Sequence, residues 1–371
     1  YISLQKDGIL FKMRRTQDIP DKKSATMFFQ DCKLAHQAQI TGIRHSIKEI
    51  LPPDLLDLTQ LQKEANIRYG FTASEVYDIA QSLYEKKLIS YPRTSSRYLT
   101  EDVFDSLPPI MARLLSWELF PAAKGTASID ISSLFRHVIN AEKANVHHAI
   151  IITGIRPGNL PEKEMLVYRL VAGRMLEAFM PPCRIETTDI EAICAAQHFK
   201  AKQTRIIEAG WHDVFMNSDI IPKSGYSVNE LPEVEKGDTL NVCGRNLVHK
   251  KQLPVNPFTD AELVEYMELN GLGTVSSRTN IIRTLVNRKY IRYSGKYIVP
   301  TPKGMFTYET IRGKKIADTS LTADWEKQLA GLESGMITRQ DFLNRIRTLA
   351  KEMTDDIFNT YSQKEKVSIL K

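Results

Sequence analysis

Apolar and polar residues alternate with period two at Phe11-Lys12-Met13-Arg14 and at Ile40-Thr41-Gly42-Ile43-Arg44. That period predicts strands, because successive side chains on a strand face opposite ways. Residues 24–38 between them suit a helix, and Leu51-Pro52-Pro53 then interrupts the chain. From about residue 57 to 180 the period lengthens. Val76, Ile79, Ala80 and Leu83 fall at i, i+3, i+4 and i+7, one apolar helix face. Thr59 with Gln62 and Thr72 with Glu75 read as capping boxes, and Gly70 as a helix stop. Residues 145–153 and 164–179 read as further helices, ended by Pro181-Pro182. Strand texture returns at 185–192, 200–207 and 239–242. After Asn256 the chain is helical again, with a third capping box at Thr259 and Glu262 and a stop at Gly271.

The order is therefore β, α, β, α. Its simplest account is one β domain interrupted by an inserted helical domain and followed by a second helical domain. Two stretches share a layout. Gly70 to Leu99 runs glycine, amphipathic helix, then Lys86-Lys87-Leu88-Ile89-Ser90-Tyr91, and Gly271 to Gly304 repeats it with Arg288-Lys289-Tyr290-Ile291-Arg292-Tyr293. Ser294-Gly295 separates Tyr290–Tyr293 from Lys296–Val299, a hairpin signal. Helix, turn, basic helix and hairpin is the winged-helix layout.

Composition adds bounds. The 371 residues carry 50 Lys and Arg against 44 Asp and Glu, a formal charge of +6, which permits an anionic partner without demanding one. At roughly 150 residues per domain the length suits two or three domains. No apolar run approaches the roughly 18 residues of a membrane span. Cys32, Cys183, Cys194 and Cys243 are far apart in sequence with no C-x-x-C pair, which points to a reducing cytosol and away from a structural zinc site. The sequence opens on Tyr1 rather than Met, so it is expected to be a fragment with an N-terminal neighbour.

Several chemistries lack their motifs. There is no phosphate loop of the G-x-x-x-x-G-K-[ST] kind, no H-E-x-x-H, no G-x-S-x-G and no D-x-D. What remains is Ile89-Ser90-Tyr91-Pro92-Arg93-Thr94-Ser95-Ser96-Arg97. A tyrosine can attack a phosphodiester if its phenol loses a proton and nearby cations hold the phosphate oxygens. Arg93, two residues on, points the same way if the segment is extended. His147-His148 is a second candidate, since a histidine beside a phosphate can donate or shuttle a proton. Arg278, Arg283, Arg288 and Lys289 share a segment whose apolar face is Ile281, Ile282 and Leu285, and such a basic face can neutralise phosphates or simply keep a helix solvated.

Leu61-Gln62-Lys63-Glu64-Ala65, Gly70-Phe71-Thr72-Ala73, Tyr91-Pro92-Arg93-Thr94, His147-His148-Ala149-Ile150 and Gly271-Leu272-Gly273-Thr274 occur in the order and approximate spacing of type IA DNA topoisomerases. The chain resembles their topoisomerase III branch, and Pro300-Thr301-Pro302-Lys303-Gly304 and Leu321-Thr322-Ala323-Asp324-Trp325-Glu326 continue the likeness. The resemblance implies an α+β toroidal body: a β-rich hinge at 1–56 and 181–254, an inserted winged-helix-like helical domain at 57–180 bearing the tyrosine, and a winged-helix-like helical DNA-binding domain at 255–371 closing the ring. It implies ATP-independent cutting of one DNA strand through a 5′-phosphotyrosine on Tyr91, strand passage and resealing. Arg93 and His147 would complete the catalytic set. Thr94, Ser277 and Arg288 match positions at DNA, and Arg278, Thr279 and Arg283 join them by proximity and charge.

The same resemblance implies Mg2+ held by a TOPRIM domain that this sequence lacks, no metal ligand within it, single-stranded and negatively supercoiled DNA as partner, a monomer, and a bacterial cytoplasmic setting on the nucleoid. The isolated chain is then expected to be inactive or weak. Ser95 stands where the family usually has Asp, and Ile152 where it usually has Pro. A non-enzymatic winged-helix DNA-binding protein is the alternative; relaxases and tyrosine recombinases require His or Arg patterns absent here.

Overall fold

The computed structural model describes residues 1–117, 119–120, 136–144, 147–215, 231–249 and 256–369. These form two compact units. One comprises Tyr1–Asp54, Met111–His137 and Gly173–Pro254; the other Leu55–Ile110, Val138–Ala172 and Val255–Lys371.

The first unit is built on a closed six-stranded barrel. Its elements are β1 (Ile2–Lys6), β2 (Ile9–Arg15), α1 (Lys22–Leu34), β3 (Gln37–Ile50), β4 (Cys183–Cys194), β5 (Gln197–Glu208) and β6 (Thr239–Arg245). The strand order is β1-β2-β5-β4-β3-β6, and β6 closes on β1 through Ile2↔Arg245. Alternation sets the inside: Ile2, Leu4, Phe11, Met13, Ala38, Ile40, Ile190, Ala192, Cys194, Phe199, Ala201, Leu240 and Val242 form one buried cluster. Cys32 of α1 joins it, so Cys32 and Cys194, 162 residues apart in sequence, meet in one core. Arg245 holds the end of α1 by donating to the Cys32 carbonyl (2.6 Å) and to that of Ala35, a cation on the negative end of a helix. Beyond a register shift at Gly42, β3, β4 and β5 run on as a three-stranded ribbon.

The second unit holds the other described α-helices and one hairpin: α2 (Leu58–Tyr69), α3 (Ala73–Glu85), α4 (Glu101–Asp105), α5 (Leu107–Ser116, shared with the first unit), α6 (Ala141–Ala144), α7 (Glu162–Phe179, likewise shared), α8 (Asp260–Leu269), α9 (Arg278–Asn287), β7 (Ile291–Ser294), β8 (Tyr297–Pro300), α10 (Pro302–Ile311), α11 (Thr319–Glu333) and α12 (Arg339–Ile369). The capping boxes at Thr72 and Thr259 are both present, Gly70 closes α2 in the left-handed region, and Gly295 (φ 59°) turns the hairpin.

Three expectations change. The cap of α2 is Asp57, whose carboxylate accepts from Gln60 N at 2.7 Å; Thr59 is buried in the first turn, and Gln62 donates instead to Ala73 O and Thr279 Oγ1. The first helix begins at Lys22 and ends at Leu34, because β3 takes over from Gln37. The helix expected over 145–153 does not form at 147–153, and residues 145–146 lie outside the described residues. That run is extended and bridges Leu56 through Ile150 and Ile89 through Ile152. Three consecutive isoleucines favour it, being stiff at χ1 and suited to a pleated surface.

The internal echo is structural. Helices α3 and α9 end alike: Lys87 and Lys289 both sit at φ 60°, and Leu88 N→Leu83 O and Tyr290 N→Leu285 O are each 2.9 Å. Tyr91 and Tyr293 then fall at the same place, four residues past the left-handed lysine. Helix α2 packs on α8 and α3 on α9.

One glycine is fixed by this joint. A Cβ on Gly304 would lie 2.0 Å from the Tyr290 carbonyl oxygen, which also accepts from Thr301 N at 3.0 Å. Gly304→Ala must move backbone, and a loss of about 1–3 kcal/mol in denaturant unfolding is expected. An unchanged midpoint would show that the joint is soft.

Candidate active site

The segment after α3 is held from two sides. Ser90 N donates to Ile151 O (2.8 Å), Ser90 Oγ to Ala149 O (3.1 Å), Ile151 N back to Ser90 Oγ (3.0 Å), and Thr153 N to Leu88 O (3.1 Å). This short ladder places 88–90 beside 149–153 and so brings two sequence-distant motifs together. The Tyr91 and His147 rings lie with centroids 4.5 Å apart and planes at 44°. Tyr84 of α3 meets Tyr91 edge-on at 5.5 Å. Tyr91 is half-buried, and no described residue bonds its hydroxyl.

Arg93 lies on the same side, against α3. Its Nη2 donates to Gln81 Oε1 at 3.1 Å, and its guanidinium carbon sits 5.1 Å from the Tyr77 ring centre. Its Nε is buried and has no partner among the described residues. His148 turns its Nδ1 to the Ala149 carbonyl at 2.8 Å, which leaves His147 as the member of the pair at Tyr91.

Thr94 is buried and its hydroxyl is engaged. It donates to the His147 carbonyl at 2.8 Å and accepts from Ser96 N at 3.0 Å, while Thr94 O accepts from Leu58 N at 3.1 Å. Its visible work is to place the His147 backbone. Below it, buried Asp57 pairs with Arg97 Nε at 2.6 Å while capping α2. Ser95 is exposed.

The residues expected at DNA on the second copy do not gather at Tyr91's ring. Thr279 is buried and accepts from Gln62. Arg278 is buried, with Nη1 donating to Glu268 (3.3 Å) and Thr59 (3.4 Å). Arg283 forks onto the Asp78 carboxylate (2.8 and 3.0 Å) and also bonds Ser74. Ser277 sits at the start of α9, with Oγ accepting from Thr274 N at 2.8 Å. Arg288, at the end of α9, is exposed, and its carbonyl takes Lys303 Nζ at 2.9 Å. Sequence reading missed Tyr77, Gln81 and Tyr84, although their i, i+4, i+7 spacing beside the apolar stripe of α3 was available. Among the described residues no group of three or more His, Cys, Asp or Glu could hold a metal ion.

A mixed helix-and-sheet body with this arrangement has the fold of a type I topoisomerase. It matches the structure of full-length topoisomerase I from Thermotoga maritima with a TM-score of 0.72 over 95% of this chain and 58% of that one, at 22% identity. The sequence profile of the DNA topoisomerase family matches residues 2–344, and the chain belongs to that family. Similar proteins include DNA topoisomerase 3 of Bacillus licheniformis (32% identical over 344 residues, 86% of this chain and 47% of the relative), of Bacillus subtilis (30% over 349 residues, 87% and 48%) and of Staphylococcus saprophyticus (30% over 383 residues, 96% and 52%). The chain spans about half the length of the curated relatives it matches.

Proposed function

We propose that this chain is the strand-cutting body of a type IA DNA topoisomerase. The observation that supports the reading is the Tyr91 ring set against His147, with Tyr91 and Arg93 both touching the Tyr77-Gln81-Tyr84 side of α3, inside the family match. Tyr91 Oη attacks the scissile phosphorus, a new P–O bond to tyrosine forms, and the P–O3′ bond breaks. The 5′ phosphate stays on the protein and the 3′ oxygen leaves with a proton. One ester replaces another, so resealing needs no ATP. Arg93 neutralises the charge that builds on the phosphate oxygens, and His147 lies where it can donate to them or carry the proton.

The magnesium belongs, in this reading, to carboxylates outside the chain. The barrel unit with its ribbon acts as the hinge at 1–56 and 181–254, the tyrosine sits on a winged-helix-like domain at 57–180, and 255–371 closes the ring over single-stranded DNA. Arg288 and Ser277 are the basic and polar contacts on α9 best placed for that strand, while Thr94, Arg278, Thr279 and Arg283 support them from within the packing. The substrate is negatively supercoiled DNA, the working form a monomer on the bacterial nucleoid.

The test uses this chain supplied with the N-terminal carboxylate-bearing domain of a relative, Mg2+, and a single-stranded oligonucleotide labelled at either end. A denaturation-resistant adduct carrying the 3′ label but not the 5′ label is expected. DNA binding without any adduct would favour the non-enzymatic reading; an adduct carrying the 5′ label would reverse the polarity.

A further inference from the structure

Helix α3 carries a stripe that its apolar face does not explain. Tyr77, Gln81 and Tyr84 share one side of it, apart from the buried Val76, Ala80 and Leu83. Tyr84 meets the Tyr91 ring, Tyr77 offers its ring to the Arg93 guanidinium, and Gln81 Oε1 accepts from Arg93 Nη2. The Gln81 amide is oriented from its other side as well, since its Nε2 donates to Glu85 Oε1 at 2.8 Å. Turned over, it would put NH2 against a guanidinium and oxygen against a carboxylate, so its two neighbours allow one orientation. The Arg93 Nε is buried and unpartnered, and its outer nitrogen Nη1 has no bond to any described residue.

We infer that Tyr77 and Gln81 are positioning residues that hold Arg93 in place without neutralising it, so that the guanidinium donors not taken by Gln81 are left to receive a phosphate oxygen. The inference rests on the proposed function only for the identity of that phosphate as DNA. A guanidinium has five N–H donors in a fixed fork. The ring face of Tyr77 sets its plane, and the neutral amide takes one donor. A carboxylate at position 81 would take Arg93 in a charge-assisted pair and compete with any anion. Gln81→Glu is therefore a disruptive change at this site, although it conserves size and a hydrogen bond, and a purely structural role would not distinguish it.

The test reads Arg93 directly, by phenylglyoxal modification mapped by mass spectrometry, with inorganic phosphate as protectant. Wild-type Arg93 is protected by phosphate, and Gln81→Glu raises the half-protecting concentration about tenfold, the scale of one charge-assisted bond. Tyr77→Leu, measured without phosphate, speeds modification several-fold, and Tyr77→Phe restores the wild-type rate. Protection of Gln81→Glu at the wild-type concentration, or a wild-type Arg93 that phosphate does not protect, overturns the inference. Should Gln81→Glu not fold, as judged by circular dichroism, the Tyr77 pair decides: a Tyr77→Leu rate equal to wild type overturns it. The oligonucleotide adduct assay runs on the same proteins. Normal protection with no wild-type adduct sinks the topoisomerase reading alone; a wild-type adduct with unshifted Gln81→Glu protection sinks this one alone.

Discussion

Tyr91→Phe is expected to abolish the covalent DNA adduct and leave the unfolding midpoint where it was. The two effects separate because of what the side chain does in the fold. Its ring fills the space between Tyr84 and His147, at centroid distances of 5.5 and 4.5 Å, and phenylalanine keeps that ring. Its hydroxyl has no partner among the described residues, so removing it leaves no buried group unpaired. The stability change should stay within about 0.5 kcal/mol. The chemical loss is expected to be complete, because phenylalanine has no oxygen with which to form the phosphoester. The twin residue cannot substitute: Tyr293 donates to Asp260 Oδ1 at 2.9 Å, and burial, reinforced by that carboxylate, pushes its phenol well above the ordinary tyrosine value. His147→Ala should lower adduct formation by about 10²–10⁴-fold without removing it, the range for one acid–base group. Residual adduct in Tyr91→Phe at the wild-type level would assign the nucleophile elsewhere.

What the sequence disclosed follows from how local each signal is. The boxes at Thr72 and Thr259 involve residues three apart, and both form. Thr59 and Asp57 each satisfy a capping pattern, and the choice between them falls to tertiary contacts. Arg97 pairs with Asp57, while Thr59 is drawn towards Arg278 and Glu268. Alternation at Phe11–Arg14 and Ile40–Arg44 announces strands, but barrel closure pairs Ile2 with Arg245 across the chain, and no local pattern carries such a register. The site divides the same way. Tyr91, Arg93 and His147 stand out by residue type and order. Gln81 and Tyr77 become visible only once Arg93 is seen to turn onto α3, since a glutamine on a half-exposed helix face has no signature of its own.

The second large effect is expected at Asp260, where the two copies of the helical pattern are tied. Its carboxylate is 1% exposed and stands at the start of α8, yet one oxygen accepts from the first amide of α3, Ala73 N, and the other from Tyr293. It thus serves as a cap for a helix 187 residues away in sequence. Asp260→Ala strands both donors, at about 1–3 kcal/mol each, so a loss of about 2–5 kcal/mol is expected in denaturant unfolding. The loss should also depend on pH in a determined direction. Burial holds the Asp260 carboxyl above its ordinary 3.8, against the lowering by the Ala73 amide and the Tyr293 hydroxyl, and nearby Glu75 adds to the rise. A group whose folded value is raised binds more protons folded than unfolded, so its contribution is fully present below 3.8 and is lost as pH rises through the folded value. The alanine variant has no such group. The gap between wild type and Asp260→Ala should therefore widen as pH falls from 7 towards 4, even as other carboxylates alter both proteins together. A gap that narrows over that range would mean that the carboxylate is stabilised as an anion by the amide and phenol, and that burial is the lesser force at this clasp.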